Sequence, residues 1–357
     1  MIFIIIKKNK EKIMKKLMLI LLSMFILVSG AMAVSLAKVK IDGKWGFINE
    51  NGDIIIEPKF DEARDFSNGF AVVVSDFKQS YINSDGKIVA KAEADSVYDF
   101  FENGLAAVDG KFIDKNGKIA IKRSFANNGG FSEGLAPVME ENGNWGYINE
   151  KGNFIIKPKF RYAYEFSNGL AAVQMENMKY GLIDKRGNFV VKPKFDYIEK
   201  FGENGLAIYG TGEIVFDECI GDKGFINKNG EIVIKAQFYD VNPFSKNGLA
   251  LVAIEKDNIK YGFINENGDF VIEPKFDEAL SFTENGLAAA CLNNKCGFIN
   301  EKGKYVIEPK FDRALSFTEN GLAAACLNNK CGFINENGDF VIEPKFDEAG
   351  SFVTIKK

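Results

Sequence analysis

Histidine is absent from the chain, and with it go the Ser-His-Asp and Cys-His arrangements and every histidine-ligated metal site. Asp and Glu remain, so a carboxylate pair of the glycosidase kind survives the inventory. Those acids recur once per repeat, however, as Glu273, Glu308 and Glu343 do, or Asp61, Asp196, Asp277, Asp312 and Asp347. Recurrence points to structure or to a repeated surface, so the chain reads as no enzyme, with no cofactor. Cysteine is scarce, five residues, and never shows the two-residue spacing familiar from thiolate zinc sites. After residue 33 no dense cluster of Lys and Arg occurs, which makes nucleic acid a poor partner and argues for none. Long apolar runs are also missing. The longest, Leu17 to Val28, covers about 12 residues, short for a bilayer span.

That run has a context. Lys15-Lys16 precede it and Ser29-Gly-Ala-Met-Ala33 follows with small residues in an Ala-x-Ala arrangement. Together these predict a secretory signal peptide over residues 1–33, cleaved between Ala33 and Val34, with an uncleaved membrane anchor as the alternative. Removing residues 1–33 takes away six Lys and one Glu and leaves the remainder at −9. The expected location is outside the cytoplasm, in a periplasm, at a cell surface or in the medium, with no membrane span after cleavage.

Residues 34–357 are built from versions of one stretch, Gly262-Phe-Ile-Asn-Glu-Asn-Gly-Asp-Phe-Val-Ile-Glu-Pro-Lys-Phe276. Relatives begin at Gly46, Gly146, Gly181, Gly224, Gly297 and Gly332, and two degenerate ones centre on Tyr81–Gly86 and Phe112–Gly117, giving nine units. The commonest spacing is about 35 residues, a period of repeat architectures. In each unit a β-prone segment leads into a Gly-containing turn and a second apolar strand, which predicts a hairpin. Pro58, Pro158, Pro193, Pro274, Pro309 and Pro344 follow at one place. Proline cannot donate to a ladder and is expected at a strand end, edge or bulge. A second signature, Asn285-Gly-Leu-Ala288 and its equivalents, predicts another turn and strand. The Asn-Glu-Asn-Gly-Asp runs do not have calcium-loop spacing, and a hairpin turn accounts for them.

Ile54-Ile55-Ile56 and Leu287-Ala-Ala-Ala290 are apolar on both faces, so the small sheets should be covered on both sides by their neighbours. The expected fold is all-β: tandem hairpin repeats stacked into an open, superhelical, solenoid-like array. A closed propeller-like ring is the alternative, disfavoured because the unit is shorter than common blades and nine blades are many. Residues 277–311 and 312–346 differ at only four of 35 positions, the mark of a recent duplication.

Lys44-Trp45-Gly46-Phe-Ile-Asn and Asn144-Trp145-Gly146-Tyr-Ile-Asn, each followed by Pro-Lys-Phe and an Asn-Gly-Leu-Ala-type turn, carry a family resemblance. The chain resembles bacterial WG-repeat proteins over essentially everything after Leu36. The resemblance implies a β-rich repeat fold and says little about activity. The signature Trp is kept only at Trp45 and Trp145. Tyr180 and Tyr261, Lys223, and Cys296 and Cys331 replace it in other units.

Candidate functional residues follow from the unit. Cys291-Leu-Asn-Asn-Lys-Cys296 and Cys326-Leu-Asn-Asn-Lys-Cys331 each span a turn, where a two-residue loop makes the cysteines a non-hydrogen-bonded pair suited to a disulfide. A four-thiolate zinc site is the weaker reading. Cys219 is left over, buried or free to react. Lys59, Lys159, Lys194, Lys275, Lys310 and Lys345 recur after the Pro. Stacking would line them into a row that meets an acidic partner or an anionic glycan, or pairs with neighbouring acids. Trp45, Trp145, Tyr180 and Tyr261 either stack on sugar rings or pack inside the repeat. An insertion, Tyr209 to Cys219, is the clearest break in the period, and insertions in such arrays often carry function. The function expected is an exported, non-enzymatic scaffold binding a protein or an envelope polymer such as a glycan across several units. The alternatives are a structural cell-surface spacer and, last, a carbohydrate-active enzyme.

Overall fold

The computed structural model describes residues 33–92, 97–108, 110–215, 218–255 and 257–355. Apart from Ala33, the predicted signal peptide lies outside them.

Blade 8 shows how one unit folds. Its strands are Glu278–Ala279, Ala288–Leu292, Lys295–Ile299 and Tyr305–Phe311, hydrogen-bonded in that order and antiparallel throughout. Asn300 opens the turn between the third and fourth strands. Its Oδ1 accepts from the backbone N–H of Lys302 at 3.0 Å and of Lys304 at 3.1 Å, a local side-chain bond that Asn and Asp make readily. Gly303 closes the turn at φ +71°. The fourth strand is bulged around Glu308-Pro309, with the register shifting between Cys296 and Phe298 of its partner. This is where a residue lacking an N–H is tolerated on an edge.

The bulge explains the glycine of the Trp-Gly signature. A Cβ on Gly46 would lie 2.5 Å from the Ile56 carbonyl oxygen, and one on Gly262 would lie 2.6 Å from that of Ile272. Gly297 and Gly332 face Ile307 and Ile342 in the same way. The fourth strand crosses so closely that only a hydrogen fits.

Nine such sheets follow one another. Among the described residues blade 3 has three strands, with a single Val97–Val108 bridge at the place of its first strand. Buried side chains form nine clusters, each shared by two successive blades. An open stack of nine blades has eight interfaces, so the count itself requires closure. The ninth cluster joins Phe333, Ile342 and Phe346 of blade 9 to Ala37, Val39, Ala349 and Phe352 of blade 1. Blade 1 is assembled from both ends of the chain. Glu348–Ile355 is its first strand, and Val34–Ile41, Lys44–Ile48 and Ile54–Phe60 are the other three. The register runs from Val34 opposite Ile355 to Lys40 opposite Glu348.

The fold is therefore a closed nine-bladed β-propeller, and the expected open solenoid is overturned by the pairing of the first and last strands. Two physical features made the open stack the wrong expectation. The unit is economical, since only Asp312 separates the fourth strand of blade 8 from the two-residue first strand of blade 9, Arg313–Ala314, so about 35 residues suffice for a blade. The interfaces also taper. Between blades 8 and 9 the second strands meet through Ala289, Ala323 and Ala325, whereas Phe298, Ile307, Phe311 and Ile334 fill the space farther out. Small side chains between the second strands and large ones between the outer strands wedge successive sheets apart by about 40°, one-ninth of a circle.

Candidate functional site

The ring has two unlike faces. One carries the loops between first and second strands, with the turns between third and fourth. The opposite face carries the hairpins between second and third strands.

On the first face a central cavity of about 940 Å³ is walled by Phe282–Asn285, Phe317–Glu319 and Phe352–Ile355, with Asn68, Glu102 and Lys246 across from them. Around it seven of the nine junctions carry a polar contact at one equivalent place. Asn285 donates its amide to Glu336 at 3.0 Å, Asn320 to Glu50 at 2.9 Å, Asn247 to Glu301 at 3.2 Å, Asn204 to Glu266 at 3.1 Å and Asn103 to Glu150 at 3.2 Å. Between blades 4 and 5 the Asn becomes Glu133 and the Glu becomes Lys185, and these two form an ion pair of 3.0 Å. Between blades 5 and 6, Lys228 donates to Asn168 at 3.3 Å. Sequence reasoning missed these contacts. The signal that could have revealed them is the paired exchange at Glu133 and Lys185, a full unit and a half apart. Glu133→Lys is expected to cost about 1 kcal/mol, the upper end for an exposed pair, and Lys185→Glu in the same chain should restore it. A urea double-mutant cycle measures the coupling.

On the hairpin face a second set of contacts joins the blades. Lys295 meets Asp312 at 2.6 Å and Lys330 meets Asp347 at 2.6 Å, with Lys44–Asp61, Lys179–Asp196 and Lys260–Asp277 equivalent. The Asp also caps the hairpin of its own blade: the N–H of Asn328 donates to Asp312 Oδ2 at 2.6 Å. The lysine hydrogen bond, helped by the backbone N–H, holds Asp61, Asp277, Asp312 and Asp347 below the usual carboxylate range. A folded-state pKa below the unfolded one gives stability that is present above the unfolded value and lost as pH falls through the folded value. Thermal melts should therefore hold steady down to about pH 4 and drop below it. Replacing these four acids with Asn should flatten that acid limb.

The recurring lysines predicted as a binding row follow the rim. Each Nζ sits over the ring of the next residue, Lys275 at 5.1 Å from Phe276 and Lys310 at 5.1 Å from Phe311. Lys59, Lys159, Lys194 and Lys345 do the same over Phe60, Phe160, Phe195 and Phe346. Four of the six also donate to the turn glycine of the next blade, Lys310 to Gly338 O at 3.0 Å, Lys194 to Gly230 O at 3.1 Å, and Lys159 and Lys275 to Gly187 O and Gly303 O at 3.4 Å. Tyr209 lies in the core against Phe195, and its hydroxyl accepts the N–H of Ala236 at 2.9 Å. Ala236 stands where six other units have Pro, so it carries an N–H that those units lack. Trp145 and Tyr180 are buried, and Trp45 lies beneath Lys38 and Lys40. None of these aromatics offers an open stacking platform.

The cysteines pair within their hairpins, Cys291 with Cys296 and Cys326 with Cys331, at the non-hydrogen-bonded register position that Trp45 and Lys40 occupy in blade 1. Each bridge closes a short loop, so reduction should cost at most about 2 kcal/mol per bridge. Calorimetry with and without a phosphine reductant should show a small lowering of Tm and a ring still folded. Cys219 is unpaired and buried, and burial pushes its thiol pKa up, which makes it a poor nucleophile.

Several further departures from the repeat lie on the hairpin face. Phe77, at the tip of the blade 2 hairpin, is 101% exposed with φ +62°. Met178 holds the equivalent place in blade 5 with φ +63° and is exposed. Blades 8 and 9 put Asn294 and Asn329 there, and blades 1 and 4 put Gly43 and Gly143. A left-handed backbone costs a bulky side chain about 1 kcal/mol that Gly and Asn avoid. In blade 6 the insertion replaces the hairpin with a two-stranded extension, Glu213–Val215 and Glu218–Ile220, and Ile220 is exposed. Among the described residues no group of three or more acids or cysteines could hold a metal ion, and no helix is long and apolar enough to cross a membrane.

A family model described as "WG containing repeat" matches residues 45–76, 80–109, 112–144, 145–178, 180–213, 224–256, 261–296, 297–331 and 332–354, skipping most of the insertion. No curated protein matches the chain. Among solved structures, a eukaryotic initiation factor is similar at 12% identity and TM-score 0.62, over 90% of this chain and 98% of that one. BamB from Moraxella catarrhalis is similar at 10% identity and TM-score 0.41, over 82% and 96%. At 12% identity the likeness to the initiation factor speaks to the fold alone.

Proposed function

The chain belongs to the WG containing repeat family, and from that premise we propose that it is an exported, non-catalytic ring that holds a protein or an envelope polymer against its hairpin face. One observation carries this reading. Phe77 and Met178 are large apolar side chains held out in solvent at backbone positions that disfavour them, on the face where the insertion also projects. Exposed apolar groups that also carry a backbone cost have no role in packing, and functional sites are where such costs collect. Export is supported by the segment Lys15 to Ala33 and by the two hairpin disulfides, which persist in oxidising compartments.

A second reading, a structural spacer at the cell surface, has its own support. Many of the recurring Lys, Asp, Asn and Glu residues, Lys295, Asp312, Asn285, Glu336 and Lys310 among them, are occupied between blades, which reduces the free chemistry of the repeated surface. Capture from envelope extracts separates the two readings. The mature chain should retain a partner that Phe77→Asn/Met178→Asn loses and Lys275→Ala/Lys310→Ala keeps. Equal capture by all three chains would sink the hairpin-face reading, and no capture by any of them favours the spacer.

A further inference from the structure

The junctions around blades 7, 8, 9 and 1 are chemically interchangeable. From blade 7 to blade 8, Lys260 pairs with Asp277, Asn247 reaches Glu301, Gly303 lies against Ile272, and Phe263 stacks on Phe282 at 4.7 Å. From blade 8 to blade 9 the same four contacts are Lys295–Asp312, Asn285–Glu336, Gly338 on Ile307, and Phe298 with Phe317 at 4.6 Å. From blade 9 to blade 1 they are Lys330–Asp347, Asn320–Glu50, Gly52 on Ile342, and Phe333 with Phe352 at 4.7 Å. The positions at which residues 277–311 and 312–346 differ (Glu278/Arg313, Lys302/Asn337, Lys304/Asp339 and Tyr305/Phe340) enter none of these contacts.

From this we infer that ring closure does not fix the number of blades, and that copies of this one unit set the width of the central cavity. Deleting residues 277–311 would place Lys260 against Asp312, Asn247 against Glu336, Ile272 against Gly338 and Phe263 against Phe317. Every partner keeps its residue type. What changes is the angle between blades, from about 40° to about 45°, spread over eight interfaces. Such a shift is small beside the scatter of sheet packing angles. The cavity wall loses the segment Phe282–Asn285 and keeps its like, Phe317–Glu319, and the bore narrows.

Two variants of the full mature chain test this, one lacking 277–311 and one carrying a second copy of 277–311 in tandem. The expected result is a monomer with a single cooperative melt in each case. The radius of gyration from X-ray scattering should be smaller than that of the parent for the first and larger for the second. One variant behaving so is enough to show that the count is free. Aggregation, dimerisation or a non-cooperative melt in both would overturn the inference, as would a monomer whose radius has not changed.

Discussion

A chain ending at Phe346 should lose its cooperative thermal transition. The strand removed, Glu348–Ile355, buries Ala349, Phe352 and Ile355 in blade 1 and against its neighbours. It also contributes the Lys40–Glu348 ion pair at 2.8 Å and the ladder to Val34–Lys40. Emptying one Phe site costs about 3–5 kcal/mol and an Ile site about 2–5, which together approach the whole stability of an ordinary domain, about 5–15 kcal/mol. The loss is also topological. With the first strand gone, the ninth interface keeps Ala37 and Val39 but loses Ala349 and Phe352, and Val34–Ile41 becomes an open edge that can recruit another chain. Circular dichroism should show a broad, early melt, and size exclusion should show association. A synthetic peptide spanning residues 347–355 should restore the transition, with a Tm that rises with peptide concentration. A truncated chain that stays monomeric and melts like the parent would refute the account of closure.

Why closure was hard to read follows from where it resides. Local features were legible because local residues decide them. Asn300 and Gly303 fix a turn wherever they occur, Pro309 marks a bulge, and Cys291 and Cys296 are in register as soon as the two-residue loop is granted. Closure depends on one pairing, Val34 with Ile355, more than 300 residues apart. The clue was the phase of the repeat rather than its length. Val34–Ile41 is a second strand with no first strand before it, and Asp347–Phe352 opens a unit and supplies the missing one. The site was less legible than the fold. Lys275 and its equivalents recur, and recurrence looked like a surface, yet a residue that every blade needs is one the blades use on each other. Phe77 and Met178 recur nowhere, so the repeat gave no reason to notice them.

A large effect from a single atom group is expected at Gly297. Its φ is not left-handed, so conformational freedom is not the reason for glycine there. The reason is the bulged fourth strand, whose Ile307 carbonyl and Pro309 nitrogen crowd the space a Cβ would fill. Backbone cannot rotate aside as a side chain can. Accommodating Ala means flattening the bulge, which displaces Ile307 and Phe311 from the interface with blade 9, where both are buried. Overpacking typically costs about 1–3 kcal/mol. A clash with backbone in a shared interface belongs at the top of that range, so Gly297→Ala should destabilise by about 3 kcal/mol. Gly286→Ala is the control. Gly286 has φ +76° and only the Glu301 Oε1 at 3.8 Å near its absent Cβ, so Ala there meets backbone strain without a clash and should cost about 1 kcal/mol. Urea unfolding of the two variants should place Gly297→Ala well below Gly286→Ala. Equal midpoints, or the reverse order, would mean that the Trp-Gly glycine is kept for some reason other than the close approach of the fourth strand.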